Sequence, residues 1–190
     1  LENQFGNFKD ITDSIAPALS RIGMVTDAVW EDIDDSGKKE LVVVGEWMPI
    51  SVFQFKALQL QPLDLPDLHL SEGWWNCIAS SDFDQDGDPD FVIGNLGLNT
   101  NYKIYPGQPV CLYASDFDEN GSIDPIMCQF IDSVEYPIAS RDNLIRQIAK
   151  AKAKFTTYRA YARTDFSGLF SRKEGKNVQV LRSYTFSHSY

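Results

Sequence analysis

The densest chemistry in this chain lies in nine residues, Asp82-Phe83-Asp84-Gln85-Asp86-Gly87-Asp88-Pro89-Asp90, which carry five carboxylates. Like charges this close repel by on the order of 1 kcal/mol per pair even in water, so a turn built this way favours a cation. Positions 1, 3 and 5 aim oxygens at one centre. Gly87 at position 6 permits the sharp turn, Asp88 at position 7 can offer its backbone carbonyl, and Asp90 at position 9 closes the shell. Oxygen ligands without His or Cys point to Ca2+ rather than zinc. The last acid falls at position 9 and a strand pattern follows, which excludes an EF-hand with two flanking helices. The competing reading is a solvated acidic turn, since Asp and Gly favour turns without any ion.

Two further copies share the frame. Asp116-Phe-Asp118-Glu-Asn120-Gly121-Ser122-Ile-Asp124 aligns on the first at an offset of 34, with Asn120 supplying an amide oxygen. Asp32-Ile-Asp34-Asp-Ser36-Gly37-Lys38-Lys39-Glu40 aligns at an offset of 50. This copy is the weakest of the three, with a hydroxyl at position 5 and two lysines beside it. The candidate metal ligands are therefore Asp82, Asp84, Asp86, Asp88, Asp90, Asp116, Asp118, Asn120, Ser122, Asp124, Asp32, Asp34, Ser36 and Glu40.

Each turn must be held by the elements around it. The aligned copies read strand, acidic turn, strand: 24–30 then 40–44, 75–79 then 90–94, and 110–114 then 124–130. Their β-branched and aromatic content favours hairpins over helices. Residues 52–55 and 58–61 supply further short strands. A period of about 40 to 50 residues with short strands and turn signals suits propeller blades. Two or three blades do not close a ring, which needs at least about four. After Pro137 the pattern changes to helical spacing: Ser140 can cap a helix with Leu144, Ile145, Ile148 and Ala149 on one face, running to Phe155. A second short helix is expected over 158–170 and a returning strand over 177–183.

The fullest match, Asp82 to Phe91, resembles the D-x-D-x-D-G-x-x-D-hydrophobic motif of the FG-GAP/VCBS repeat family, whose calcium-binding blades also occur in integrin α-subunit propellers. Residues 1–12 resemble the outer-strand segment that precedes such a blade. Gly45-Glu46-Trp47-Met48-Pro49, Gly94-Asn95-Leu96-Gly97-Leu98-Asn99 and the 141–147 helix are similar to bacterial VCBS proteins with a cartilage-acidic-protein-like C-terminal region. The resemblance implies a mainly β chain: a partial β-propeller of two to three blades over 1–140 with three calcium loops, then a basic helical appendage and returning strand over 141–190. It also implies a secreted, periplasmic or cell-surface protein that binds a glycan or protein ligand or serves adhesion, with the parent's remaining blades as neighbours. The alternative is a scaffold part of a larger polysaccharide-processing enzyme.

Composition narrows the rest. The chain has 190 residues, 43% of them hydrophobic and 23% charged, which is ordinary globular usage. Its net charge of -10 divides into an acidic front and a basic back. The front is too acidic to approach a phosphate backbone, and the basic helix lacks interspersed stacking aromatics, so a nucleic-acid partner is not expected. No apolar run reaches the roughly 18 to 20 residues of a membrane helix, and no signal peptide opens the sequence. Cys77, Cys111 and Cys128 show no C-x-x-C spacing and read as buried small hydrophobes. His69 and His188 sit in no nucleophile or zinc motif, so the chain is not expected to be an enzyme. Trp30, Trp47, Trp74 and Trp75 read as core.

Overall fold

The computed structural model describes residues 1–170 and 178–186. The chain is mainly β, arranged in three antiparallel sheets, none of which closes. It divides into two compact units, Leu1–Leu98 with the returning residues from Thr185, and Asn99–Tyr184.

In the first unit, β1 (Glu2–Gln4) and β2 (Asn7–Lys9) form an exposed hairpin of their own. The expected outer strand of a blade is thus a self-paired ribbon, because Phe5 and Gly6 take positive φ (54° and 92°) and turn the chain straight back. A short helix, α1 (Thr12–Ile15), and a 3-10 turn (Pro17–Leu19) follow. Then β3 (Met24–Glu31), β4 (Glu40–Met48), β5 (Ser51–Lys56) and β6 (Gln59–Leu63) make a four-stranded meander. The next hairpin, β7 (Gly73–Ser81) and β8 (Asp90–Asn95), belongs to the same sheet, since β7 pairs with the end of β4 through Glu46↔Trp74 and Met48↔Gly73.

Leu41-Val42-Val43-Val44 explains why β4 is the hub. β-branched residues suit a pleated surface, and an unbroken apolar run suits a strand buried on both faces. Leu41 and Val43 pack with Ala16, Phe53 and Leu60, where Leu19 and Ile22 add cover. Val42 and Val44 pack with Val52, Trp75 and Ile78, against which Phe91 and Ile93 also lie. The first face is therefore covered by the N-terminal helical segment, the second by the β7–β8 hairpin.

The second unit begins its sheet at β9 (Val110–Ser115), β10 (Asp124–Ile131) and β11 (Val134–Pro137), to which β12 (Gln179–Ser183) adds on the far edge of β9. Ile126 and Cys128 face α2 (Arg141–Gln147), α3 (Ala151–Lys154), α4 (Tyr158–Ala162) and α5 (Phe166–Leu169), and the core holds Leu144, Ile148, Phe155, Tyr161 and Leu169. The third hairpin thus packs with the helices, so the compact units divide after Leu98 rather than after residue 140. Ser140 caps α2 as expected, accepting the Asn143 N–H. The helix stops at Gln147, where Ile148 is extended (φ −121°, ψ 93°), instead of running to Phe155. Arg141 Nε donates to Phe155 O at 2.7 Å. A straight helix would set these residues about 21 Å apart, so the chain must fold back. The expected helix over 158–170 is two short ones, because Asp165 caps α5 by accepting the Gly168 N–H. Asn177, the first residue of the expected returning strand, lies outside the described residues.

Candidate metal centre

The three hairpins share one register. Ala28↔Val43, Val29↔Val42, Trp30↔Leu41 and Glu31↔Glu40 in the first recur as Ile78↔Ile93, Ala79↔Val92, Ser80↔Phe91 and Ser81↔Asp90 in the second. The third repeats them as Met127↔Leu112, Ile126↔Tyr113, Pro125↔Ala114 and Asp124↔Ser115. Even the irregularity between Val25 and Asp27 returns between Trp75 and Cys77. Strands in one register hold their connecting turns alike.

The turns share most of their hydrogen bonds. At position 1, Asp32 accepts the N–H groups of Ser36 (3.0 Å) and Gly37 (2.7 Å), and Asp116 those of Asn120 (2.9 Å) and Gly121 (2.8 Å). Asp82 accepts from Gly87 at 3.2 Å and from Gln85 at 2.7 Å. At position 9, Glu40, Asp90 and Asp124 accept the N–H of Ile33 (3.2 Å), Phe83 (2.8 Å) and Phe117 (3.0 Å) respectively. Position 3 serves position 5: Asp34 accepts from Ser36, and Asp84 from Asp86. Position 5 serves position 7 in turn, since Ser36 Oγ, Asp86 and Asn120 accept the N–H of Lys38, Asp88 and Ser122. Position 6 is glycine at φ 77°, 105° and 88°, which only a residue without Cβ adopts freely.

These bonds tie the loops down while leaving oxygens convergent. Asp32, Asp34 and Glu40 bring ligand atoms within 4.8 Å of one another, as do Asp82, Asp84 and Asp86, and Asp116, Asp118 and Asp124. The weakest-looking loop thus gathers the same three positions as the third. Lys39 contributes no counter-charge there, because its ammonium lies 3.8 Å from the Glu31 carboxylate. In the second loop Asp90 accepts the Phe83 N–H as its counterparts do theirs, but stands outside the gathered trio. The adjoining carboxylates of Asp86 and Asp88 act on each other, which pushes Asp88 up and Asp86 down from ordinary carboxylate values. Glu40 and Asp124 are 5% and 4% exposed. Burial raises the Asp124 carboxyl against the lowering pull of Phe117 N–H, and the Asp118 and Asp116 charges raise it further. Oδ1 of Asp118 is buried with no hydrogen-bond partner among the described residues. A buried acid, two acidic neighbours and a bare oxygen form a donor set that a hard cation would satisfy.

Sequence reasoning overlooked two features of these loops. Position 4 is left-handed in every copy, at Asp35 (φ 54°), Gln85 (φ 65°) and Glu119 (φ 60°), although none is glycine. The N–H of position 2 is the clamp for position 9. Its side chain is core in the third copy, where Phe117 is 1% exposed and stacks on Phe170 at 4.1 Å, but Phe83 is 57% exposed.

Elsewhere, Trp47 and Trp75 are buried as expected, whereas Trp30 is 42% exposed and stacks on Phe55 at 6.2 Å. It sits at the end of β3, beyond the cover of the N-terminal helical segment. Cys111 and Cys128 are buried and Cys77 is exposed. Two basic residues of the helical segment reach carbonyls, Lys154 donating to Leu169 O and Arg146 to Asp142 O, while Lys150 pairs with Glu119. His69 pairs with Asp64, and His188 lies outside the described residues. No helix among the described residues is long and apolar enough to cross a membrane. The sequence matches no family model, and comparison with curated proteins and with solved structures gives no match either.

Proposed function

We propose that each acidic turn binds one Ca2+ ion and that the chain is a calcium-stabilised segment of FG-GAP/VCBS-type propeller blades, serving recognition of a glycan or protein ligand rather than catalysis. The observation that carries this reading is the recurrence in three turns of the same clamps, position 6 onto 1, 2 onto 9 and 7 onto 5, each turn converging three carboxylates within 4.8 Å. A solvated acidic turn has no reason to repeat a clamp from position 2 onto position 9 three times. Calcium accepts six to eight oxygens, and the three gathered carboxylates of each turn, with a position 7 carbonyl, supply much of that shell. An ion so enclosed holds a turn and leaves few open positions for substrate, whereas metal catalysis needs them. The resemblance to this family favours a secreted or surface setting.

Calorimetric titration of the full chain with Ca2+ tests the reading. Binding is expected, with a melting temperature that rises from chelator to millimolar calcium; at 100 times the dissociation constant the gain is about 2.7 kcal/mol. Mg2+ should substitute poorly, since it demands tighter octahedral geometry. An unchanged melting temperature and no binding heat would sink the ion sites. Calcium-dependent cleavage of a polysaccharide by the purified chain, lost in Asp86→Ala while the fold survives, would replace the recognition role with an enzymatic one.

A further inference from the structure

The second hairpin lacks something that its two sister copies have. On the outer edge of β4, β5 pairs through Leu41↔Phe53, Val42↔Val52 and Val43↔Ser51. On the equivalent edge of β10, β11 pairs through Cys128↔Pro137 and onward, and Met127 O accepts the Ile138 N–H at 2.8 Å. Among the described residues β8 pairs with β7 alone. Its outward groups can be assigned. Ile78 gives its N–H to Asp27 at 3.0 Å, so Ile78↔Ile93 is a non-hydrogen-bonded pair and the main-chain groups of Ile93 face away from β7. Those of Phe91, two residues earlier, do the same.

Alongside this edge runs a cleft of about 620 Å3, with Ile33, Ile50, Val52, Leu65, Leu68 and Phe91 in its walls. Its wall is rigid: the buried Ser71 accepts the Ile50 N–H at 3.0 Å and donates to Leu68 O at 2.6 Å, while its carbonyl accepts Trp75 Nε1–H at 2.8 Å. Asp67 and Asp90 stand at the cleft as well.

We propose that the edge of β8 binds an extended peptide of a partner protein, antiparallel to β8, with apolar residues at alternate positions and a basic flank. Strand addition to a free edge takes affinity from main-chain bonds and specificity from pockets for alternate side chains. Residues opposite Phe91 and Ile93 point into the cleft, as Phe53 and Ser51 point to the covered face of β4 in the first copy. The carboxylate of Asp67 at the cleft favours Lys or Arg beside the apolar pair. A second copy of this chain fits poorly, since its β8 carries its own meander on the face that would have to enter the cleft. The proposal rests on the strand edge and is independent of the ion sites.

The probe is a synthetic peptide of residues 49–57, which contains β5 with Phe53, Phe55 and Lys56, added to the full chain in millimolar calcium. Amide exchange at Phe91 and Ile93 should slow by about tenfold or more at saturation, with Leu41 and Val43 unchanged. The same peptide with Phe53→Asp and Phe55→Asp should give no protection. Leu65→Glu should abolish the effect, and native exchange at Leu41 and Val43 will show that this variant is folded. Unaltered exchange at Phe91 and Ile93, equal protection by the aspartate peptide, or protection without peptide accompanied by dimer formation in sedimentation would each overturn the proposal.

Discussion

Asp27 on β3 accepts the backbone N–H of Ile78 on β7 through Oδ2 at 3.0 Å, across 51 residues of sequence. Beside it, Thr26 Oγ1–H donates to Trp75 O at 2.9 Å. The first two copies of the repeat are thus joined by side chains reaching main-chain groups where the two ladders step out of register. The Ile78 and Ala28 N–H groups hold the Asp27 carboxyl below its ordinary value.

A pH dependence follows. A folded value below the unfolded one means that the stabilisation is complete above the ordinary Asp range near 3.9 and fades as pH falls through the depressed folded value. In chelator, Asp27→Asn should melt lower than the parent at neutral pH, with the gap narrowing as pH drops from about 5 to 2. A gap that stays constant across that range would show that the charge of Asp27 contributes nothing.

Asp124 should reverse sign with calcium. Its buried carboxylate faces Asp116 and Asp118, so in chelator Asp124→Asn relieves repulsion and should raise the melting temperature, while its amide oxygen can still accept the Phe117 N–H. In millimolar calcium the same substitution removes a charged ligand and should lower it. Thermal melts in both buffers settle the point, and the same sign in both would remove Asp124 from the ion site.

Core packing beneath the third hairpin should cost most when cut. Leu144 is fully buried among Ile126, Cys128 and the helices. Leu144→Ala is expected to lose about 2 to 5 kcal/mol in denaturant unfolding. Leu58→Ala, at a site 90% exposed, should stay within about 0.5 kcal/mol of the parent.

The cysteines should separate by reactivity. Burial, then the Glu135 carboxylate, pushes the Cys111 thiol up to about 12, and burial raises Cys128 as well. Under native conditions at pH 8, iodoacetamide should modify the exposed Cys77 first, with the other two slower by about 100-fold or more. Mass spectrometry over time reads this directly.

Much of the site could be read from residue types alone. Asp, Gly and the strand-forming residues around them recur at fixed offsets, and because the strand period is two, a shared spacing imposes a shared register and a shared turn. That is why the acidic positions, the six hairpin strands and the Ser140 cap lie where the sequence places them. The side chain of Asp90 is different: it accepts the Phe83 N–H as Glu40 and Asp124 accept theirs, yet stands outside the gathered trio, and that depends on backbone direction inside the turn, which composition does not encode.

Local pattern therefore determined the turns, their acidic residues and the mainly β class, since each depends on neighbours within about ten residues. Tertiary structure alone decided what depends on distant partners. Arg141 reaching Phe155 breaks the expected helix at Ile148. The third hairpin groups with the helices because Ile126 and Cys128 bury against Leu144 and Ile148. Trp30 lies open while Trp75 is buried, although both are tryptophans on strands, because burial is set by what the rest of the chain lays over a face. Only the folded arrangement distinguishes β8, whose residues alternate like those of its sisters, as the hairpin strand that pairs on one side alone among the described residues.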